Sequence, residues 1–265
     1  MKVTFEDQGH VYRSIPARSW TSVTTLVETF IEEFDAPKQA AMSSRSHKSK
    51  WFGVPPRKIV QIWDNENERS TRIGSLHHEW METLALKKRN KLHRGEIVEI
   101  FPSIVENGIK IARDQRLQPG VYPEHLIYNE KLGIAGQSDL VYVADGYVDI
   151  DDYKTNKEIV ENSFGFPHNP RMMLDPVSNL MDCNYWHYAL QLSIYMKLIL
   201  LKNPNLKAGE LRLIHFDFEV IKRDRFGFPV IKMKDGHPVV EKRTAYKIPY
   251  LEKEAILVLK TLIDQ

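Results

Sequence analysis

Gly133-Ile134-Ala135-Gly136-Gln137-Ser138-Asp139-Leu140, followed by Tyr147-Val148-Asp149-Ile150-Asp151-Asp152-Tyr153-Lys154-Thr155, is the stretch on which the fold turns. Both runs are rich in Ile, Val and Tyr, and Asp145-Gly146 between them is a tight-turn pair. Together with residues 122–130, which close on a turn at Gly133, they read as three antiparallel strands in a meander. Side chains at i and i+2 of a strand share a face, so Asp152 and Lys154 point one way and Asp151 and Tyr153 the other. Two strands joined by a tight turn can set Asp139 beside Asp152. Paired carboxylates repel each other unless a cation lies between them, and a hard divalent ion takes oxygen ligands of this kind. A lysine beside such a pair can position or deprotonate an attacking water, or stabilise charge that develops on phosphorus.

The flanking sequence supplies the other layers. Residues 3–13 read as a short hairpin around Gln8-Gly9, and Ser22 or Thr21 as the N-cap of a helix carrying Val27, Phe30 and Phe34. Residues 37–50 have helical composition, residues 56–69 read as a helix, and 71–89 as a second, longer one with Leu76, Trp80, Leu84 and Ala85 in register. Residues 101–116 read as a further helix. After the meander come a Gly/Pro/Asn loop at 162–170, a strong helix at 184–202, a strand at 212–218, a hairpin-rich stretch at 220–246 and a closing helix at 251–263. This order predicts a mixed α/β (α+β) domain with a central mixed sheet flanked by helices. The expected organisation is one domain over 1–265: a mainly helical part (1–120), a catalytic core (121–218), then a hairpin insertion and closing helix (219–265).

Composition narrows the class. With 265 residues, 42% of them hydrophobic, the chain can bury a full core. Lys and Arg number 37 against 35 Asp and Glu, so net charge permits a nucleic-acid partner without arguing for one. The single cysteine, Cys183, excludes an intrachain disulfide and leaves no Cys-rich zinc site. No apolar run is long enough to span a bilayer, so no membrane partner is expected, and the chain reads as cytoplasmic.

Four motifs stand in order: Gly74-Ser75-Leu76-His77-His78, Gly136-x-x-Asp139, Asp152-Tyr153-Lys154-Thr155, and Gln191-Leu192-x-x-Tyr195. In this combination the chain resembles the PD-(D/E)XK nuclease superfamily, most closely its RecB-type and phage exonuclease branch. The resemblance implies a restriction-endonuclease-like core and hydrolysis of DNA phosphodiester bonds with one or two Mg²⁺ or Mn²⁺ ions. It implies that Asp139 and Asp152 hold metal with His78 and the Tyr153 carbonyl, that Lys154 is the catalytic lysine, and that Gln191 reaches the site. Ser75 replaces the family's Thr, and Asp152 stands where Glu is frequent. Accessory candidates are Tyr195, Glu82, Glu124 and Glu130, each of which a solvated or interfacial position would also explain. Candidate DNA contacts are Ser22 and Thr24 near a helix N-terminus, and the basic run Lys87, Lys88 and Arg89 at a helix end, where a plain cap and a solvated terminus are the bland alternatives. The expected substrate is linear DNA, duplex or single-stranded, degraded from an end in phage-type recombination or genome processing. A recombination partner protein or a homo-oligomer would fit that role, in host cytoplasm if the chain is phage-encoded. A structure-specific endonuclease and a non-catalytic DNA-binding subunit are the rivals.

Overall fold

The computed structural model describes residues 2–6 and 11–263. The chain opens with strands β1 (Lys2–Glu6) and β2 (Val11–Ile15), which pair antiparallel as expected; the Gln8-Gly9 turn lies outside the described residues. Next come β3 (Thr21–Ser22), α1 (Val23–Glu28), α2 (Ala36–Arg45) and α3 (Pro56–Leu86). Ser22 caps α1 by accepting from the Thr25 N–H at 2.9 Å. Where two helices were expected between 56 and 89, α3 runs unbroken for 31 residues. Ser70 and Thr71 carry no backbone constraint that would stop it, and Pro55-Pro56 starts it where proline is tolerated.

The expected helix at 101–116 is not there. Two hairpins precede the central strands instead: β4 (Asn90–His93) with β5 (Glu96–Glu99), and β6 (Ile104–Glu106) with β7 (Ile109–Ile111). Their turns fall at Arg94-Gly95 and Asn107-Gly108, where all four residues have positive φ. Such two-residue turns match strand twist, and Asn-Gly is a strong hairpin signal that outranks helical composition. The part before residue 120 is therefore less helical than expected. Strand β7 also pairs with β1, giving a small sheet ordered β2-β1-β7-β6.

The predicted meander is present as β8 (Gly120–Asn129), β9 (Ile134–Ala144) and β10 (Tyr147–Lys154). Helix α4 (Asn184–Lys202) then crosses over to β11 (Lys207–Phe218), which lies parallel to β10. Small hairpins follow, β12 (Val220–Arg223) with β13 (Pro229–Ile231) and β14 (Met233–Lys234) with β15 (His237–Pro238). Strand β16 (Val240–Ile248) returns antiparallel to β11, and α5 (Glu252–Lys260) closes the described chain. Thus β16 belongs to the central sheet rather than to an insertion. That sheet mixes parallel and antiparallel pairs in the order β16-β11-β10-β9, with β8 and β3 both on β9.

Strand alternation sorts the core into two layers. Val141, Val143, Val148, Ile150, Leu211 and Leu213 face α1, α4 and α5. Leu140, Tyr142, Tyr153, Ile214 and Phe216 face the other way, towards Ile73 and Met81 of α3. Helix α4 is apolar nearly all round and buries Leu190, Leu192, Ile194, Met196 and Leu198, as a central crossover helix must. Among the described residues no helix is long and apolar enough to cross a membrane.

Candidate functional site

The sheet forks at its middle. Strands β9 and β10 pair from Ala144↔Tyr147 as far as Leu140↔Asp151, and there the ladder stops. Beyond the fork β9 continues with β3, where Thr21 and Ser22 lie beside Ile134 and Ala135. The next residues across the fork are Asp139 and Asp152. The Asp139 carboxylate replaces the missing ladder bond by accepting from the Tyr153 N–H at 2.5 Å. Lying in the split, Asp139 is reached from both layers of the fold.

From the α3 side comes His78, whose Nδ1 is 3.1 Å from Asp139 Oδ1. From β8 comes Glu124, the residue opposite Asp139 between the pairs Pro123↔Leu140 and His125↔Ser138. One ligand atom from each of His78, Glu124 and Asp139 lies within 4.8 Å of the others, a geometry that can hold a metal ion. Glu124 has φ of +48° and is buried. A non-glycine residue in that left-handed region carries backbone strain, which a functional constraint can retain. Gln137 donates to the Glu124 carboxylate, and Lys110 Nζ of β7 is 3.5 Å from it. Glu82 lies at the margin: it accepts from Ser103 at 3.1 Å and stands 4.0 Å from Lys110.

From the α4 side, Lys154 Nζ is 2.7 Å from Asp152 Oδ2 and 4.1 Å from the centroid of the Tyr188 ring. Gln191 donates to Thr24 Oγ1 at 3.1 Å and to the Tyr195 hydroxyl at 3.3 Å. Two glycines allow the approach of these elements. A Cβ on Gly136 would stand 2.4 Å from the buried Tyr195 ring, and one on Gly74 would meet Thr155 Oγ1 at 2.9 Å. Asp151, on the opposite face from Asp152 as strand alternation requires, binds Arg212 Nε at 2.6 Å and is a structural ion pair.

Charge in the site is tightly balanced. Burial pushes the Glu124 carboxyl up, Asp139 adds to it, and Lys110 and His78 oppose them, leaving it at about 8. Burial disfavours the charged His78 ring, but Asp139, through its charge and its hydrogen bond, together with Glu124 and Asp152 raises it to about 9. Burial would raise Asp139 too; His78, Lys154 and the Tyr153 N–H together hold it low. Burial raises Asp152, with Asp139 reinforcing and Lys154 opposing. Burial works against a charged Lys154, yet Asp152, Tyr188 and Asp139 together favour the ammonium.

The sequence-predicted residues therefore fall into groups. His78, Asp139 and Glu124 converge on one point, and Asp152 and Lys154 form a pair beside them. Asp152 is not in the three-ligand cluster; Glu124, placed among the accessories, is. The Tyr153 N–H donates to the Asp139 carboxylate. Gln191 and Tyr195 bond to each other and to Thr24. Ser22 serves as the cap of α1. Glu130 lies in the turn after β8, on the order of 20 Å of strand from Glu124. Lys87, Lys88 and Arg89 follow the end of α3, where Lys87, the C-cap, is about 14 Å along the helix axis from His78 and lies over the Trp80 ring at 4.9 Å. Two contributors were missed, Lys110 and Gln137. Gln137 shares a strand face with Asp139, a signal the sequence did hold; Lys110 was hidden in the stretch read as helix. A cleft of about 720 Å³ opens onto the group, lined among others by Gly74, His78, Glu82, Lys110, Glu124 and Asp139.

No family model matches the chain, and no curated protein matches it. One solved structure that is similar to it, that of the archaeal protein SSO0001, is 14% identical, with 93% of this chain and 76% of that one covered and a TM-score of 0.34.

Proposed function

We propose that the chain is a divalent-metal-dependent deoxyribonuclease of PD-(D/E)XK type, acting on linear DNA from an end. The observation that carries this reading is the convergence of His78, Glu124 and Asp139 at the fork of β9 and β10, with the Asp152–Lys154 pair alongside. The buried Glu124, the half-buried Asp139 and an imidazole, with Glu124 and His78 held protonated in the metal-free site by burial and by Asp139 respectively, fit a hard or borderline divalent ion such as Mg²⁺ or Mn²⁺, the imidazole favouring Mn²⁺. Such an ion, held by His78, Glu124 and Asp139, would polarise a phosphoryl oxygen and acidify water.

The chain's own groups do the remainder. Asp152 and the Tyr188 ring keep Lys154 charged and fixed in direction. A charged Lys154 has no lone pair to take a proton, so its role is to orient a water through the water's oxygen and to stabilise negative charge growing on the phosphate. Gln137 and Lys110 hold the Glu124 carboxylate in place. The Gln191–Thr24 bond ties α4 to α1 at the rim.

The test is incubation with end-labelled linear duplex, single strands and closed circles, in Mg²⁺, Mn²⁺ or EDTA. Metal-dependent loss of linear DNA with intact circles supports the exonuclease. Cut circles would replace it with an endonuclease, and binding without cleavage in any metal would replace both with a DNA-binding subunit.

A further inference from the structure

A second and larger cleft, about 980 Å³, lies beyond Lys154. Thr155, Asn156 and Lys157, the residues next along the chain, form one wall, and Ser70 and Ile73 of α3 form another. The close contact between Gly74 and Thr155 places this cleft and the metal-side cleft on either side of one helix–strand crossing. The β12–β13 hairpin closes the far side, so the hairpin-rich stretch after β11 builds the cavity. The floor is apolar, from Phe216 and Phe218 at the end of β11, with the partly exposed Phe228 beside them.

Lys157, Arg223 and Lys242 stand around this apolar floor; among the described residues none of the three makes an ion pair, and Arg223 donates to the Gly227 carbonyl of its own hairpin at 2.9 Å. Of the acidic side chains on the lining, Glu66 is paired with Arg69, while Asp217, directly across the β11–β16 ladder from Lys242, and Glu241 stand against the three cations. Cations over aromatic and aliphatic surface suit a ligand that is anionic along one edge and apolar along the other. An unpaired DNA strand has that character, with phosphates on one side and base faces on the other. A duplex does not, because its base faces are turned towards each other. The volume is at the top of the range for small-ligand sites, so it can take more than one nucleotide.

We infer that this cleft holds the unpaired strand of the DNA substrate adjoining the phosphate under attack. Lys157, Arg223 and Lys242 contact its backbone, and Phe228 contacts a base. This rests on the nuclease reading and deepens it, since it makes a single strand or a frayed end the substrate.

The experiment is fluorescence anisotropy with a labelled twelve-residue oligothymidine and, separately, a blunt duplex of equal length, in EDTA so that cleavage does not compete. Wild type should prefer the single strand. The triple variant Lys157→Ala/Arg223→Ala/Lys242→Ala should bind it more weakly, with the slope of log K against log salt reduced by about 2, as loss of three phosphate contacts on a single strand requires. Phe228→Ala should cost roughly tenfold in single-strand affinity with that slope unchanged. Thermal melts and Mn²⁺ titration of each variant identify one that has simply misfolded, and Phe228→Tyr, which keeps the ring, should bind as wild type. Unchanged strand binding in the triple variant and in Phe228→Ala, or a wild-type preference for duplex, would overturn the cleft assignment and leave metal-dependent cleavage standing. Failure of the wild type to bind either DNA would overturn both.

Discussion

At the scale of the residue, the site is an arrangement of charges that is satisfied only in part. His78 and Glu124 both have raised pKa values, so near neutral pH the metal-free protein keeps a proton on each. Binding a cation requires both protons to leave. Mn²⁺ affinity should therefore rise steeply with pH from about 6.5 to 9, with proton release measurable by calorimetry in buffers of different ionisation enthalpy. The sign for stability follows from the same two groups. His78 is raised from 6.5 to about 9, so the stabilisation from its pairing with Asp139 is complete below 6.5 and is lost as pH rises through 9. Glu124 is raised from 4.5 to about 8, so the folded state binds the extra proton and stability again falls as pH rises across that window. In EDTA the melting temperature should fall between pH 6.5 and 9, and added Mn²⁺ should raise it more at pH 8.5 than at 6.5. A flat profile would contradict the balance described. Among the acidic candidates, Glu124→Gln should weaken Mn²⁺ binding by at least about tenfold, and Glu130→Gln should leave it unchanged by the same titration. The sequence offered both residues equally, because β8 could be drawn but not its register against β9. Only the pairing that sets Glu124 opposite Asp139 separates them.

At the scale of the element, the meander and α4 were legible because their signals were local: alternation, a turn glycine and an unbroken apolar helix. Asp152 and Lys154 on one face, with Asp151 opposite, followed from strand alternation alone. What was not legible depended on competition between signals. The β6–β7 hairpin has polar, mixed composition that passes for helix, and the turn at Asn107-Gly108 decides against it; the β4–β5 hairpin fell in a stretch to which no element was assigned. The misread stretch also hid Lys110, which β7, paired with β1, carries to within 3.5 Å of Glu124. Element packing yields a further prediction. Gly136 lets β9 pass directly over the Tyr195 ring, with Val23 at 3.0 Å on another side of the added Cβ position. Gly136→Ala should destabilise the protein by about 1–3 kcal/mol, read from urea unfolding, since neither buried neighbour can swing out to solvent. Combining it with Tyr195→Leu should recover part of the loss; no recovery would mean that the clash lies elsewhere.

At the scale of the whole molecule, the mixed sheet separates two kinds of work. The α4 side is an apolar core beside which Lys154 and Gln191 are held, and the α3 side opens into clefts on both flanks of the helix. The expected mixed α/β class with a central sheet and flanking helices is what the structure shows. The place of β16 inside that sheet was not readable, because a long-range antiparallel pairing leaves no mark in the hairpin-rich sequence that precedes it. Overall charge is near balance, so affinity for a polyanion must come from local features such as the cations around the larger cleft. The central claim is that the fork of β9 and β10 performs metal-dependent phosphodiester hydrolysis. It is tested most directly by release of label from end-labelled linear DNA in Mn²⁺, wild type beside Lys154→Ala. The account predicts release that EDTA abolishes and that falls by about two to three orders of magnitude in the variant while Mn²⁺ still binds. Equal release by both proteins, or none by the wild type in any divalent metal, would contradict it.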